Sequence, residues 1–459
     1  MGKIFQKPIA QSVILGCLLL LLLCASAGRS RAETLLNSAH LIFRYGHYKD
    51  LFIIIICLFG RIISSIEGKS PFFSLVIFNI LACIGNCIIL FIVLIYVCSL
   101  NAFSFQLILD TRILVYLAEL LLSSYFWFCL YDIIYKKTKT VSVTHLFVIF
   151  AYYTGIAMLE NARGLIVFNT SLLYPRIICY IVLSIIITTI LFLIISRPKR
   201  EWDNFPMVKQ KSKCSHHLLL LIPVAYVLIC CQQISEAVKS SEYLINTLEP
   251  LCFIFGTPET IYVVNLLMVL TYKAILENND SFKKARCLFP AYYIISSFVI
   301  ILVVLLFFFQ TGYLNNEWSK FIYYYNFTTL HQELELNMVF LPAYIVAFRP
   351  VSCLFTQLLL GFLYFSLCLI LIDLINIFLR ELTFPFLLQY IWMLMNDRSI
   401  YCQYWSPFSH AIIGNHSFGY DYAPKLSISI TILLLLNAFL LILIYLTKRI
   451  RFTSKRKNK

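Results

Sequence analysis

The sequence predicts an all-α polytopic membrane protein with about twelve transmembrane helices, and three observations carry that reading. Of 459 residues, 61% are hydrophobic and only 13% are charged, a balance that leaves too few charges to solvate a surface in water. Apolar runs such as 177–196, 291–309 and 426–446 contain no charged residue, and each supplies the about 20 helical positions that a ~30 Å hydrocarbon layer requires. Lys and Arg collect at the ends of such runs, as the positive-inside rule expects of short connections.

In chain order the first run, Val13–Cys24, follows Lys3 and Lys7 and precedes Ala25-Ser26-Ala27. It has the form either of a signal peptide with an A-x-A-like cleavage site or of an uncleaved first span at 11–28. The run 51–66 is interrupted by Arg61 and barely long enough to span. If it lies in the interface instead, the count falls to eleven. Spans at 72–98, 113–135, 141–158 and 177–196 complete an N-terminal half, residues 1–200. A basic linker, 201–217, leads to a C-terminal half, 218–459, with spans at 218–234, 250–272, 290–310, 351–378, 383–395 and 426–446. Two six-helix halves result, without a visible sequence repeat between them.

The connections then set orientation. Lys136, Lys137 and Lys139 form one basic group, Arg197 to Lys213 a second, and Lys273, Lys283, Lys284 and Arg286 a third, before the tail Lys448–Lys459. All four fall on the cytoplasmic side by parity, with both termini there, in a cell membrane. The connection 29–50, with Arg29, Arg31, Arg44 and Lys49, falls on the other side and conflicts with the rule. The net charge of +15 is explained by this topology and by anionic membrane lipid rather than by nucleic acid.

No connection exceeds roughly 40 residues, which excludes an ATPase or kinase domain within the chain. Among the 16 cysteines, Cys17, Cys57, Cys83, Cys87, Cys179, Cys230 and Cys231 lie inside apolar runs, and no CxxC or Cys/His ligand spacing occurs. They read as apolar packing residues without an intrachain disulfide. HExxH, GxSxG and GxGxxG are absent, and Gly68-Lys69-Ser70 lacks the earlier glycine of a phosphate loop. No catalytic residue, cofactor or metal site is expected.

The polar candidates are therefore intramembrane. Glu119 and Asp373 lie inside apolar runs, where a carboxylate is costly and marks either transport chemistry or an interhelical bond to a partner such as Arg61. Asp132 and Glu259 sit nearer helix ends and are expected to reach the interface. The stretches 310–349 and 396–425 combine Trp318, Tyr323, Tyr324, Tyr325, Trp405, Phe408 and Tyr420 with Glu317, Glu333 and Glu335. These read as an interfacial aromatic belt, or as a lipid or sugar-lipid surface with Glu333, Glu335 or His410 as acid/base groups. Asn169, Asn326 and Asn415 head glycosylation sequons on the non-cytoplasmic side, and Asn279 heads one on the cytoplasmic side.

The C-terminal half has a basic approach, a hairpin ending in 273–289 with Lys283-Lys284-Ala285-Arg286, a longer external connection, and Tyr404-Trp405-Ser406-Pro407-Phe408-Ser409-His410 before the last span and its basic tail. In this layout it resembles the six-helix permease subunit of ABC exporters. Leu41-Ile42-Phe43-Arg44-Tyr45-Gly46 in the first half is similar to an arginine-containing motif of poorly characterised permeases. The resemblance implies export driven by a separate cytoplasmic ATP-binding-cassette subunit, docked on the mixed-charge connection that holds Glu277, Lys283, Lys284 and Arg286. A twelve-helix secondary transporter and a membrane glycosyltransferase or polysaccharide polymerase are the other two classes. The paucity of Gly and Pro, 14 each, argues against the broken helices of the former.

Overall fold

The computed structural model describes residues 111–138, 140–161, 217–241, 243–278, 289–322, 347–378, 383–396, 404–416 and 424–457, with shorter pieces within 52–60, 76–88 and 181–193. These residues are mostly helical. The chain divides into two compact units, Met1–Ser215 and His216–Lys459.

In the first unit α1 (Thr111–Thr138) and α2 (Val141–Asn161) form a tight pair. A connection this short leaves no choice but antiparallel neighbours. It is fixed by Thr144, whose N–H and hydroxyl both donate to the Thr140 carbonyl at 3.1 and 2.8 Å, so the first turn of α2 closes on its own side chain. Large side chains fill the space between them: Phe128, Tyr131 and Leu146 are fully buried, and Trp127 meets Tyr152 edge-on at 5.3 Å. Gly60 lies beneath the Tyr131 ring, and a Cβ there would stand 2.6 Å from two ring carbons. Asp132, expected to reach the interface, is instead 1% exposed and accepts from Asn79 Nδ2 at 3.1 Å. Its side chain points into the packed core, where a hydrogen-bond partner offsets part of the desolvation.

The second unit comprises α3 (Leu221–Ser241), β1 (Ile245–Asn246), α4 (Glu249–Gly256), α5 (Pro258–Asn278), α6 (Phe289–Phe308), β2 (Gly312–Tyr313), α7 (Pro350–Phe378), α8 (Thr383–Asn396), α9 (Pro407–His410) and α10 (Leu426–Lys457). Three helices among the described residues are long and apolar enough to cross a membrane: Phe289–Phe308, Pro350–Ile375 and Leu426–Thr447. The central one is α7, whose span is 67% buried against α4, α5, α6, α8 and α10, whereas the span in α10 is only 17% buried. A helix apolar all round with so little protein against it is suited to a lipid surround. Side-chain amides hold it in register: Asn437 Nδ2 donates to the Leu363 carbonyl of α7 at 3.0 Å. Close approach of α6 to α7 depends on Gly361, where a Cβ would meet the Tyr293 hydroxyl at 2.6 Å. That hydroxyl donates to the Leu358 carbonyl at 3.2 Å.

Two expected elements differ. The span 250–272 is two helices, α4 and α5, bent by 74°. The span 383–395 is the 14-residue α8, about 21 Å at 1.5 Å per residue, and too short to cross ~30 Å of hydrocarbon unaided. The basic tail from Lys448 continues α10 as helix to Lys457.

Candidate functional site

The break between α4 and α5 arises at Gly256-Thr257-Pro258. Pro258 has no N–H to return to the preceding turn and is preset for the first position of a new helix. Thr257 is extended, at φ −85° and ψ 138°. Its N–H closes the last turn of α4 on the Phe253 carbonyl at 2.9 Å, and its hydroxyl donates to the same oxygen at 3.0 Å, while Pro258 removes the N–H that would continue the helix from the Ile254 carbonyl. Gly256 faces open space, with no atom within 4 Å of a built Cβ.

Glu249, in the first turn of α4, is fully buried. Its carboxylate accepts from the Asn246 N–H at 3.2 Å, the Ser319 hydroxyl at 2.7 Å and the Ser319 N–H. Asn246 in turn donates to the carbonyls of Asn315 and Glu317 at 2.5 and 2.7 Å and accepts from the Leu248 N–H. The parallel pairing of β1 with β2, Ile245 opposite Gly312, supplies the frame. Thus the entry to the broken span is clamped to the segment that follows α6. Sequence reasoning passed over Glu249 because it stands at an apparent span boundary, where a carboxylate is ordinary. The Asn246-x-x-Glu249 spacing of a turn closing on a helix N-terminus was the available signal.

The other end of α5 carries Lys273, whose ammonium donates to Asp373 of α7. Its side chain is 9% exposed and that of Asp373 39%, which places the pair at the edge of the packed core rather than in it. Asp373 therefore has an interhelical partner, Lys273. The sequence expects Lys273 in a solvated connection; the helix instead continues past it to Asn278. Arg61, Lys283, Lys284 and Arg286 lie outside the described residues, and the side chains of Glu119, Glu259 and Glu277 do as well, although their backbones belong to α1, α5 and α5.

Between α8 and α10 the chain folds back against α7. Gln357 of α7 donates to the Ala411 carbonyl and accepts from the Ile413 N–H, both at 2.8 Å. Ser406 caps α9 by accepting from the Ser409 N–H and donates to the Trp392 carbonyl at 2.6 Å. Phe408, expected in an aromatic belt, is fully buried between Tyr262 and Tyr364, with ring centroids 6.4 and 5.6 Å away. Trp405 is 81% exposed.

His410 is 1% exposed, with Nε2 3.0 Å from the Tyr404 carbonyl and Nδ1 2.8 Å from the Ser429 hydroxyl. A carbonyl only accepts, so Nε2 carries the proton and Nδ1 accepts from Ser429. Burial holds its pKa below the usual value of 6.5. The Ser429 bond joins α9 to α10 and the Tyr404 bond ties α9 to the segment before it, so both nitrogens are engaged in the fold. His416 Nδ1 donates to the Ile413 carbonyl at 3.0 Å, while Nε2 is buried without a hydrogen-bond partner. Burial pushes this imidazole down to about 4. Glu333 and Glu335 lie outside the described residues. Asn415 donates both amide hydrogens, to Asn396 Oδ1 at 2.6 Å and to the Ser409 carbonyl at 3.2 Å, so its sequon nitrogen is engaged in the fold.

Among the described residues no group of three or more His, Cys, Asp or Glu side chains is arranged to hold a metal ion. Set against protein-family models, curated proteins and solved structures, the chain matches none.

Proposed function

We propose that this chain is the multi-pass, about twelve-span permease of an exporter, with both termini cytoplasmic, powered by a separate ATP-binding-cassette subunit. The supporting observation is the Lys273–Asp373 pair. It stands in the last turns of α5, which also carry Glu277, just before the connection with Lys283, Lys284 and Arg286. A displacement applied to that connection passes directly to α5 and α6, and through the ion pair to the central helix α7. At its far end α5 meets the break at Thr257, a place where backbone torsions absorb motion while α4 stays clamped by Glu249. The test is to replace Lys283, Lys284 and Arg286 with Gln at unchanged abundance. Loss of ATPase co-purification and of nucleotide-stimulated transport supports the reading, and retention of both rejects it.

A second reading, an ion-coupled secondary carrier, is favoured by the 74° break itself, since such carriers bind substrate where helices are discontinuous. In reconstituted vesicles without nucleotide, uptake that follows an imposed proton or sodium gradient selects this reading over the first.

A further inference from the structure

We propose that Cys252 and Cys353 form a disulfide that fastens α4, the short limb of the broken span, to the first turn of α7. The two sulfurs are 3.3 Å apart, and both side chains are fully buried. The S–S bond length is about 2.0 Å, so the sulfurs close by little more than 1 Å. The helices are already in place: α4 packs along the start of α7, and the Cys252 thiol reaches the Pro350 carbonyl at 3.7 Å. The sequence places these cysteines 101 positions apart with no motif spacing, which is why counting alone expects none to pair.

The chemistry is thiol–disulfide exchange with an oxidant that itself carries a disulfide, protein-bound or glutathione-like. One cysteine thiolate attacks a sulfur of the oxidant and expels its first thiol, giving a mixed disulfide. The second thiolate attacks the cysteine sulfur of that mixed disulfide and expels the other half. Two cysteine thiols become one S–S bond, and the oxidant leaves as two thiols with the two protons. Both sulfurs are inaccessible once α4 is seated, so the exchange belongs to folding, before α4 closes on α7. Afterwards the same burial shields the bond from soluble reductants. An oxidising, non-cytoplasmic location for this end rests on the orientation proposed above.

The experiment uses the full chain in its native membrane. Membranes are denatured in N-ethylmaleimide without reductant, then reduced and treated with iodoacetamide before peptide mass spectrometry. The expected result is that Cys252 and Cys353 carry the second label, and that an unreduced portion shows a linked peptide pair two hydrogens lighter that vanishes on reduction. In Cys252→Ser, Cys353 takes the first label. A soluble thiol added to native membranes leaves the pair linked. Full N-ethylmaleimide labelling of both cysteines in the wild-type chain overturns the proposal. A Glu317→Cys reporter treated with an impermeant thiol reagent in intact cells shows separately whether the orientation has failed too.

Discussion

Glu249 shows how one carboxylate organises a connection. It is the common acceptor for two backbone donors and one hydroxyl, and Glu249→Ala strands all three in a buried site, where each unsatisfied group costs about 1–3 kcal/mol. Glu249→Ala is expected to destabilise the protein by about 3 kcal/mol or more, and Ser319→Ala by about 1, because the Ser319 N–H still donates. Thermal midpoints in detergent measure both, and equal effects would remove the carboxylate from the centre of the network. His416 contributes to the pH dependence. Its folded value is about 4 against a usual 6.5, so the unfolded chain binds the extra proton between those values. Stability from this group is complete above about pH 6.5, falls as pH drops toward 4, and is level below. The full effect is about 3 kcal/mol. His416→Asn, which keeps an N–H near the Ile413 carbonyl, is expected to flatten the stability profile between pH 6.5 and 4, and an unchanged slope would assign it to other groups.

At the scale of elements, small contacts decide which helices touch. Gly361→Ala puts a methyl group into the Tyr293 hydroxyl, and Gly60→Ala puts one into the Tyr131 ring; each is expected to destabilise by about 1–3 kcal/mol through overpacking. The Lys273–Asp373 pair is asymmetric in burial, and its variants should be too. Asp373→Asn leaves the more buried ammonium without its carboxylate and is expected to lose about 3 kcal/mol. Lys273→Met leaves a carboxylate that solvent or headgroups reach, and loses about 1 kcal/mol. The double variant should recover part of the Asp373→Asn loss, and strict additivity of the midpoints would show that the two charges do not interact. Apolar runs made α1, α2, α6, α7 and α10 legible, because a bilayer leaves few choices for a run of 20 apolar residues. The break at Thr257 was hidden by the same rule: a hydropathy window passes over one Pro, and only the torsions at Thr257 turn the chain. Asp373 was legible as a polar group within an apolar run, whereas its partner Lys273 was masked by the nearby lysines that mark the cytoplasmic side.

For the molecule as a whole, orientation governs every functional reading, and the structure changes how it is best probed. Ser319 lies in a predicted external stretch but is fully buried under Glu249, so a cysteine there reports disruption of the clasp rather than sidedness. Glu317 and Trp405 are exposed in stretches expected outside, and Lys137, exposed in the last turn of α1, belongs to a basic group expected on the opposite side. Single cysteines at Glu317 and Trp405 in a background without reactive thiols should react with an impermeant reagent in intact cells, and ones at Lys137 and Ser454 only after permeabilisation. Labelling of all four would point to a leaking membrane, which a cytoplasmic marker protein detects. The reverse pattern would place the Lys273–Asp373 pair and the connection after it outside the cell, beyond the reach of a cytoplasmic ATPase. An ATP-driven permease would then be excluded, while an ion-coupled carrier, which needs only the broken helix and a gradient, would stand.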